Sequence, residues 1–458
     1  MNLLTPHFSE AILEKAAALS QRPSHYAGWE IGSTAPATPA VGNTPAPLRL
    51  ALIWSQPYER AMNDPLLLGV YSGLSREGVF VERIFPAAGD FIAAVESLTG
   101  RKPWFSLESK LPLDAFDAYV MDAVADSSPQ GQEVRRMAVA RERPIFACSA
   151  QDGVDAAGAA LRVVAWAKGA LGGDLNRRPF GLTGPAPSGP LPLMAYRSSE
   201  DQRFLAGIFS SRTDRGFSFS SSRLGAYRVR VSRGGWSRFV SHLEQIQIFK
   251  SAVLLAGLPA AFGGERKPRL KMSFGTAVSV GWCSKAEFFD LILNGFMEIE
   301  EIRARLAGVM PAGYEVGDIR RIPLHFPSLE DSANVAEYWL EAADGAPAID
   351  WEQFQAWFKK LSAGEISAVV RKEKSGQKVD MVNLAEIVRR LTITAKSQTG
   401  APFWGVRLEL RFAPHKNLKP EKVLEAGLGL TPEAAKTDIR ISRVALGLET
   451  PSGKVRYL

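Results

Sequence analysis

The histidine best placed for proton transfer is His242, in the run Arg238-Phe239-Val240-Ser241-His242-Leu243-Glu244. An imidazole titrates near neutral pH, and a hydroxyl and an arginine beside it are neighbours that a general acid or base uses. Arg238 and His242 are therefore the catalytic candidates. The start of a helix at this point would disfavour the imidazolium and so oppose an acid role. The second chemical feature is basic. Tyr227-Arg228-Val229-Arg230-Val231 alternates, which puts Arg228 and Arg230 on one side of a strand, and Arg233 follows. Arg269 and Lys271 alternate in the same way, preceded by Arg266 and Lys267. A guanidinium presents a planar fork to two phosphate oxygens. Arg228, Arg230, Arg233, Arg266, Lys267, Arg269 and Lys271 are thus the candidate nucleic-acid contacts.

The charge distribution points the same way. The chain carries a net charge of +7, yet residues 197–271 alone hold 14 Lys/Arg against 5 Asp/Glu, a surplus of 9. A basic segment in an otherwise near-neutral chain is the footprint of a polyanionic partner. The stretch 176–225 adds interleaved arginines and aromatics (Arg203, Phe204, Arg215, Phe217, Phe219, Arg223) in a Gly/Pro/Ser-rich linker, a pattern that suits stacking on single-stranded RNA.

Other chemistries are excluded or unsupported. Two cysteines, Cys148 and Cys283, cannot ligate an iron–sulfur cluster of the three-thiolate kind, and they are expected in the core. The five histidines lack metal-ligand spacing, so neither a metal nor a cofactor is expected. No glycine-rich phosphate loop follows the first strand, where the chain reads Ser55-Gln56-Pro57-Tyr58-Glu59. The N-terminus lacks a basic leader, and the longest apolar run, 252–264, is too short to cross a bilayer. A cytoplasmic protein with no membrane contact is expected.

The elements that would position these residues fall into two plans. After a lead over 1–47, residues 48–175 alternate strands (Leu48–Trp54, Val79–Phe85, Tyr119–Met121, Pro144–Cys148) with helices. This reads as a doubly wound parallel sheet, flavodoxin-like or cobalamin-binding-like but without a ligand histidine in its first loop. Past the linker at 176–225, residues 226–330 read as βαββαβ: a strand at 227–231, a helix capped by Ser241 and Glu244, strands at 270–274 and 288–293, a helix near 299–309 and a strand at 314–322. The helix facing the core is read on Leu243, Ile246, Phe249, Val253 and Ala256, with Gly257 as its stop. Residues 331–458 repeat the plan, with strands at 333–340, 366–371, 406–412 and 438–444. The fold class is thus α/β plus α+β, with two tandem ferredoxin-like units. Such a sheet carries helices on one face and leaves the other open, displaying Arg228, Arg230, Arg269, Lys271, Arg407, Glu409 and Arg411.

The same segments carry a resemblance. Tyr227-Arg228-Val229-Arg230, the Arg238–Glu244 run, Ala256-Gly257-Leu258-Pro259, Ser273-Phe274 and Ser284-Lys285-Ala286-Glu287-Phe288-Phe289-Asp290 are similar to the radical SAM-linked domain family, which is found beside radical SAM proteins in bacteria. The chain departs from the family's Gly-Phe-Asn-Pro loop, reading Gly264-Glu265-Arg266-Lys267-Pro268. Tyr26-Ala27-Gly28-Trp29-Glu30 and Phe105-Ser106-Leu107-Glu108-Ser109 resemble the region ahead of the barrel in the associated radical SAM proteins, with the barrel absent. The resemblance implies a separate radical SAM protein, or a ribonuclease, as partner. The expected function is an accessory, non-catalytic RNA-binding protein that presents tRNA or rRNA to such a partner. An RNA-processing or RNA-modifying enzyme using His242 and Arg238, and a protein–protein scaffold, are the alternatives.

Overall fold

Strands β1 (Arg49–Ile53), β2 (Phe80–Ile84), β3 (Ala118–Asp122) and β4 (Ile145–Cys148) form a parallel sheet in the order β2-β1-β3-β4. The computed structural model describes residues 8–28, 49–62, 64–76, 79–100, 105–122, 129–148, 156–170, 224–263, 268–343, 351–372, 379–398, 401–412, 418–428, 430–450 and 452–458. The chain divides into two units, Met1–Arg212 and Thr213–Leu458. The linker reading over 176–225, with its arginines and aromatics, lies almost wholly outside the described residues, as do Arg266 and Lys267.

In the first unit, helices α1 (Glu10–Leu19), α2 (Pro65–Arg76), α3 (Gly89–Thr99), α4 (Pro129–Ala140) and α5 (Ala156–Ala170) surround the sheet. Leu67, Val70 and Leu74 of α2 and Val163 and Ala167 of α5 pack on Leu50, Leu52, Val81 and Val120. Val134 and Ala138 of α4 pack on Ile53, Tyr119 and Met121, facing the other way. Coverage on both faces explains why β1, β3 and β4 are mostly apolar rather than alternating, while β2 carries a buried Glu82 and Arg83. The crevice between the carboxyl ends of β1 and β3 is bridged: Ser55 donates to Asp122 Oδ2 from its backbone N–H (3.1 Å) and from Oγ (2.6 Å).

The two N-terminal motifs meet each other. Gly28 has φ +66°, and a Cβ there would stand 2.5 Å from the Leu107 carbonyl oxygen, so only glycine fits. Tyr26 stacks on Phe91 at 3.9 Å and accepts the Ala88 N–H. Glu108 takes Arg83 Nε at 2.7 Å, both side chains being fully buried. The described parts of the two motifs, residues 26–28 and 105–109, thereby form a clasp on the end of β2, while Trp29 and Glu30 lie outside the described residues.

The second unit holds a nine-stranded mixed sheet. Its first half runs β5 (Leu224–Arg233), α6 (His242–Leu255), a small ribbon of β6 (Phe262–Gly263) and β7 (Arg269–Leu270), β8 (Met272–Phe274), β9 (Cys283–Asn294), α7 (Ile299–Ala307) and β10 (Tyr314–Ile322). The strands lie β10-β5-β9-β8, all antiparallel. The second half runs β11 (Val335–Ala342), α8 (Trp351–Ser362), a hairpin of β12 (Ser367–Lys372) and β13 (Val379–Asn383), β14 (Val388–Gln398), β15 (Ala401–Arg411), α9 (Pro420–Leu428), α10 (Pro432–Thr437) and β16 (Ile439–Glu449), with β17 (Val455–Tyr457) folding back on β16. Its order, β16-β11-β15-β14, repeats the first half strand for strand. The halves join where β9 and β16 pair in parallel at Cys283↔Ser442 and Ser284↔Arg443.

Two expectations need correction. The segment read as the second strand of the second half, 366–371, is β12, which pairs only within its own hairpin; that position in the sheet is taken by β14. Val388-Arg389-Arg390-Leu391-Thr392-Ile393-Thr394 is rich in β-branched residues and forms β14, following a short helix over Leu384–Ile387. On α6, Leu243 is 74% exposed and the buried stripe is Gln245, Ile248, Phe249, Ala252 and Val253. A polar residue takes the inward position because its amide has buried partners. The cap itself forms as read: Glu244 N donates to Ser241 Oγ and Ser241 N to Glu244 Oε2, and Gly257 ends the helix at φ +63°.

Among the described residues no helix is long and apolar enough to cross a membrane. Cys148 is buried and Cys283 half-buried, and neither forms a disulfide.

Candidate functional site

The arginines of β5 part company by parity. Tyr227, Val229 and Val231 point under the helices, where Phe249 and Phe289 meet at 5.1 Å. Arg233 shares their phase and is 2% exposed. Its five N–H groups have five acceptors: Nε on the Trp282 carbonyl, Nη1 on the Val240 carbonyl and Gln245 Oε1, and Nη2 on the carbonyls of Arg238 and Ser279. Gln245 Nε2 then donates to Glu287 Oε2 at 2.6 Å, and Arg443 of β16 donates to Glu287 Oε1 at 2.7 Å. This is a buried charge network joining the two halves. Burial pushes the Glu287 carboxyl up, but Arg443 and Arg233 more than offset that, so its pKa lies below the usual carboxylate range.

Arg233 is therefore a structural tie with no group left to offer a phosphate, contrary to the expected role. His242 opens α6 beside the same network. Burial lowers its pKa, an effect reinforced by Arg233 and Arg443 and opposed by Glu287. Its Nδ1 is buried without a hydrogen-bond partner. Arg238 lays its guanidinium over the Phe239 ring at 4.7 Å, while its carbonyl serves Arg233. The arrangement gives a neutral imidazole at physiological pH. Among the described residues no group of three or more His, Cys, Asp or Glu side chains is placed to hold a metal ion.

The even-numbered arginines face the other way. Across the sheet, Arg320 (β10), Arg228 (β5) and Asp290 (β9) form one row, and Arg230 and Phe288 belong to the next. Arg228 is 6% exposed, pairs with Asp290 through Nε (2.8 Å) and Nη2 (2.9 Å), and reaches the Pro327 carbonyl. It is thus less open than expected, because residues 323–334 cross this face and bury Leu329 and Ala333 against Phe288 and Leu446. Arg230 is partly exposed and touches Asp318 at 3.1 Å. Between that crossing segment, the β10–β5–β9 face and β17 lies a cleft of about 300 Å3, whose lining includes Arg228, Arg230, Arg320, Phe326, Arg456 and Tyr457. Arg320 and Arg456 are exposed, and Phe326 and Tyr457 are each 45% exposed. Arg228 Nη1 is buried with no hydrogen-bond partner.

Arg269 and Lys271 are exposed at the separate β6–β7 ribbon, Arg269 near enough to Lys250 to help lower its pKa after burial. The second half's face is largely neutralised. Arg407 pairs with Glu337, Arg389 with Glu409 and Glu449, and Arg411 with Glu449 at 2.7 Å. So the seven candidate contacts do not form one patch: two line the cleft, one is a buried tie, two sit on the ribbon and two lie outside the described residues. Sequence reasoning missed Arg320 and Arg456. The alternation Asp318, Arg320, Ile322 on β10 was the available signal for the first.

Comparison with known proteins bears on the second unit. Residues 226–420 match a family model described as "Uncharacterized protein conserved in bacteria (DUF2344)". That match supports the family resemblance of this region without extending it to a radical SAM association. No curated protein matches the chain. Among solved structures, the chain is similar to an unknown protein from Galdieria sulphuraria, with 11% identity, 48% of this chain and 99% of that one covered, and a TM-score of 0.16. It is also similar to a homoserine dehydrogenase from Thiobacillus denitrificans, with 10% identity, 87% and 98% covered, and a TM-score of 0.14.

Proposed function

We propose that the chain is an accessory RNA-binding protein whose second unit, a tandem of ferredoxin-like halves, offers RNA a basic face for a separate processing or modifying partner. A radical SAM protein or a ribonuclease is the partner class that the motif resemblance implies, and the flavodoxin-like first unit would then serve as a docking module. The observation that carries the reading is the cleft on the first half's open face. Arg320 and Arg456 are exposed there beside two aromatic rings, whereas the second half ties most of its facing arginines to glutamates. Arginine surplus next to exposed aromatic surface suits a polyanion with stackable bases.

Binding of labelled RNA at increasing salt tests this. Each phosphate contact contributes a slope of about −0.7 in log K against log salt for single strands. Arg320→Ala and Arg456→Ala should each weaken binding and flatten the slope by roughly that amount. Arg228→Ala would be a poor test, because it strands Asp290. Absence of RNA binding at low salt would overturn the reading.

A further inference from the structure

The cleft is more specific than a basic surface needs to be. We propose that it receives one unpaired nucleotide of a single-stranded RNA, base and phosphate together. This rests on the RNA-binding reading and narrows it. A volume of about 300 Å3 is at the lower end of the range for small-ligand sites, so it accommodates a single nucleotide and no duplex. Phe326 and Tyr457 give the cleft exposed aromatic rings against which a base can stack. Tyr457 is fixed there by a hydrogen bond to Glu337 and by β17 pairing with β16. Arg230, Arg320 and Arg456 supply the charge for the attached phosphate.

The decisive detail is Arg228. Its Nε and Nη2 are held by Asp290 and the Pro327 carbonyl, and its guanidinium lies 5.1 Å from the centre of the Phe326 ring. That anchoring leaves Nη1, a buried donor in a residue that lines the cleft, with no acceptor among the described residues. A buried donor without a partner is costly, and an acceptor on the ligand would satisfy it. A base-edge carbonyl or a phosphate oxygen supplies one. A purely apolar ligand would leave this donor and the exposed Arg320 and Arg456 unmatched, Arg230 being paired with Asp318. Inorganic phosphate would leave the aromatic rings uncovered.

The test uses the full chain and fluorescence anisotropy with a labelled single-stranded oligoribonucleotide and the duplex of the same sequence. The single strand should bind at least about tenfold tighter than the duplex. Phe326→Ala and Tyr457→Ala, both at partly exposed positions, should weaken single-strand binding by about five- to hundredfold while leaving duplex binding unchanged. A mixture of the four nucleoside 5′-monophosphates should compete at concentrations where inorganic phosphate does not. Equal losses for single strand and duplex, or full binding by both aromatic variants while Arg320→Ala still weakens it, would overturn the nucleotide pocket and leave the RNA-binding reading standing. Failure of the parent protein to bind any RNA would overturn both.

Discussion

Arg233 satisfies all five of its N–H groups within the protein, and Glu287 depends on it and on Arg443 for its charge. Truncating such a residue removes a charge that favours the buried Glu287 carboxylate and leaves five carbonyl or amide acceptors with less to bond. Arg233→Ala should therefore lower stability by at least about 2 kcal/mol, because several buried acceptors lose their donor at once. Arg320→Ala, on the same sheet but exposed, should stay within about 0.5 kcal/mol of the parent. Urea unfolding of the two variants checks this, and equal stabilities would mean that the network contributes nothing. The difference between Arg228 and Arg233 was legible from parity alone, since Arg233 follows the phase of Val229 and Val231. What parity could not show is that residues 323–334 return across the open face and bury Arg228. Only the tertiary course of the chain brings Phe326 and Pro327 to that arginine.

At the scale of elements, the joint between the halves is a two-residue parallel pairing of β9 with β16, reinforced by Arg443. Its Nη1 donates to Thr276 O and Oγ1 and its Nη2 to the Ala286 carbonyl and Glu287, so one side chain from the second half binds three residues of the first. A double-mutant cycle on Arg443→Ala and Glu287→Ala should return a coupling energy of about 1–3 kcal/mol. Near-additive effects would show that the Arg443–Glu287 pair adds nothing to the joint beyond the backbone pairing and the apolar packing around it. Element positions were largely legible, because β1, β3 and β4 of the first unit are mostly apolar runs and α6 carries its capping box in sequence. The second half was harder to read. β12 and β14 both look like strands, and the choice between them rests on long-range pairing with β15 that no local pattern contains. Gln245 was missed for a related reason: an amphipathic pattern assigns a glutamine to solvent unless its buried partners, Arg233 and Glu287, are known.

For the whole molecule, the response to acid is set by a buried network and by a second ion-paired carboxylate outside it, Glu449. His242, Glu287 and Glu449 all have folded pKa values below their ordinary ones. For His242 the first cause is burial; for Glu449 it is the hydrogen bond from Arg411; for Glu287 the two arginines outweigh burial. In each case the unfolded chain takes up its proton at a higher pH than the folded protein does, so acid favours unfolding. The contribution of His242 is intact above about pH 6.5 and is lost as pH falls through its depressed folded value. The carboxylates contribute fully above about pH 4.3 and lose that contribution further down. Stability against urea should consequently decline in two stages, a shallow one beginning below about pH 6.5 and a steeper one below about pH 4.3. His242→Gln should abolish the first stage and leave the second, because the glutamine cannot take up a proton while Glu287 keeps Arg443 and Arg233. If the variant and the parent lose stability in parallel between about pH 7 and 5, the imidazole is solvated enough to titrate normally, and the network ends at Gln245 rather than at His242.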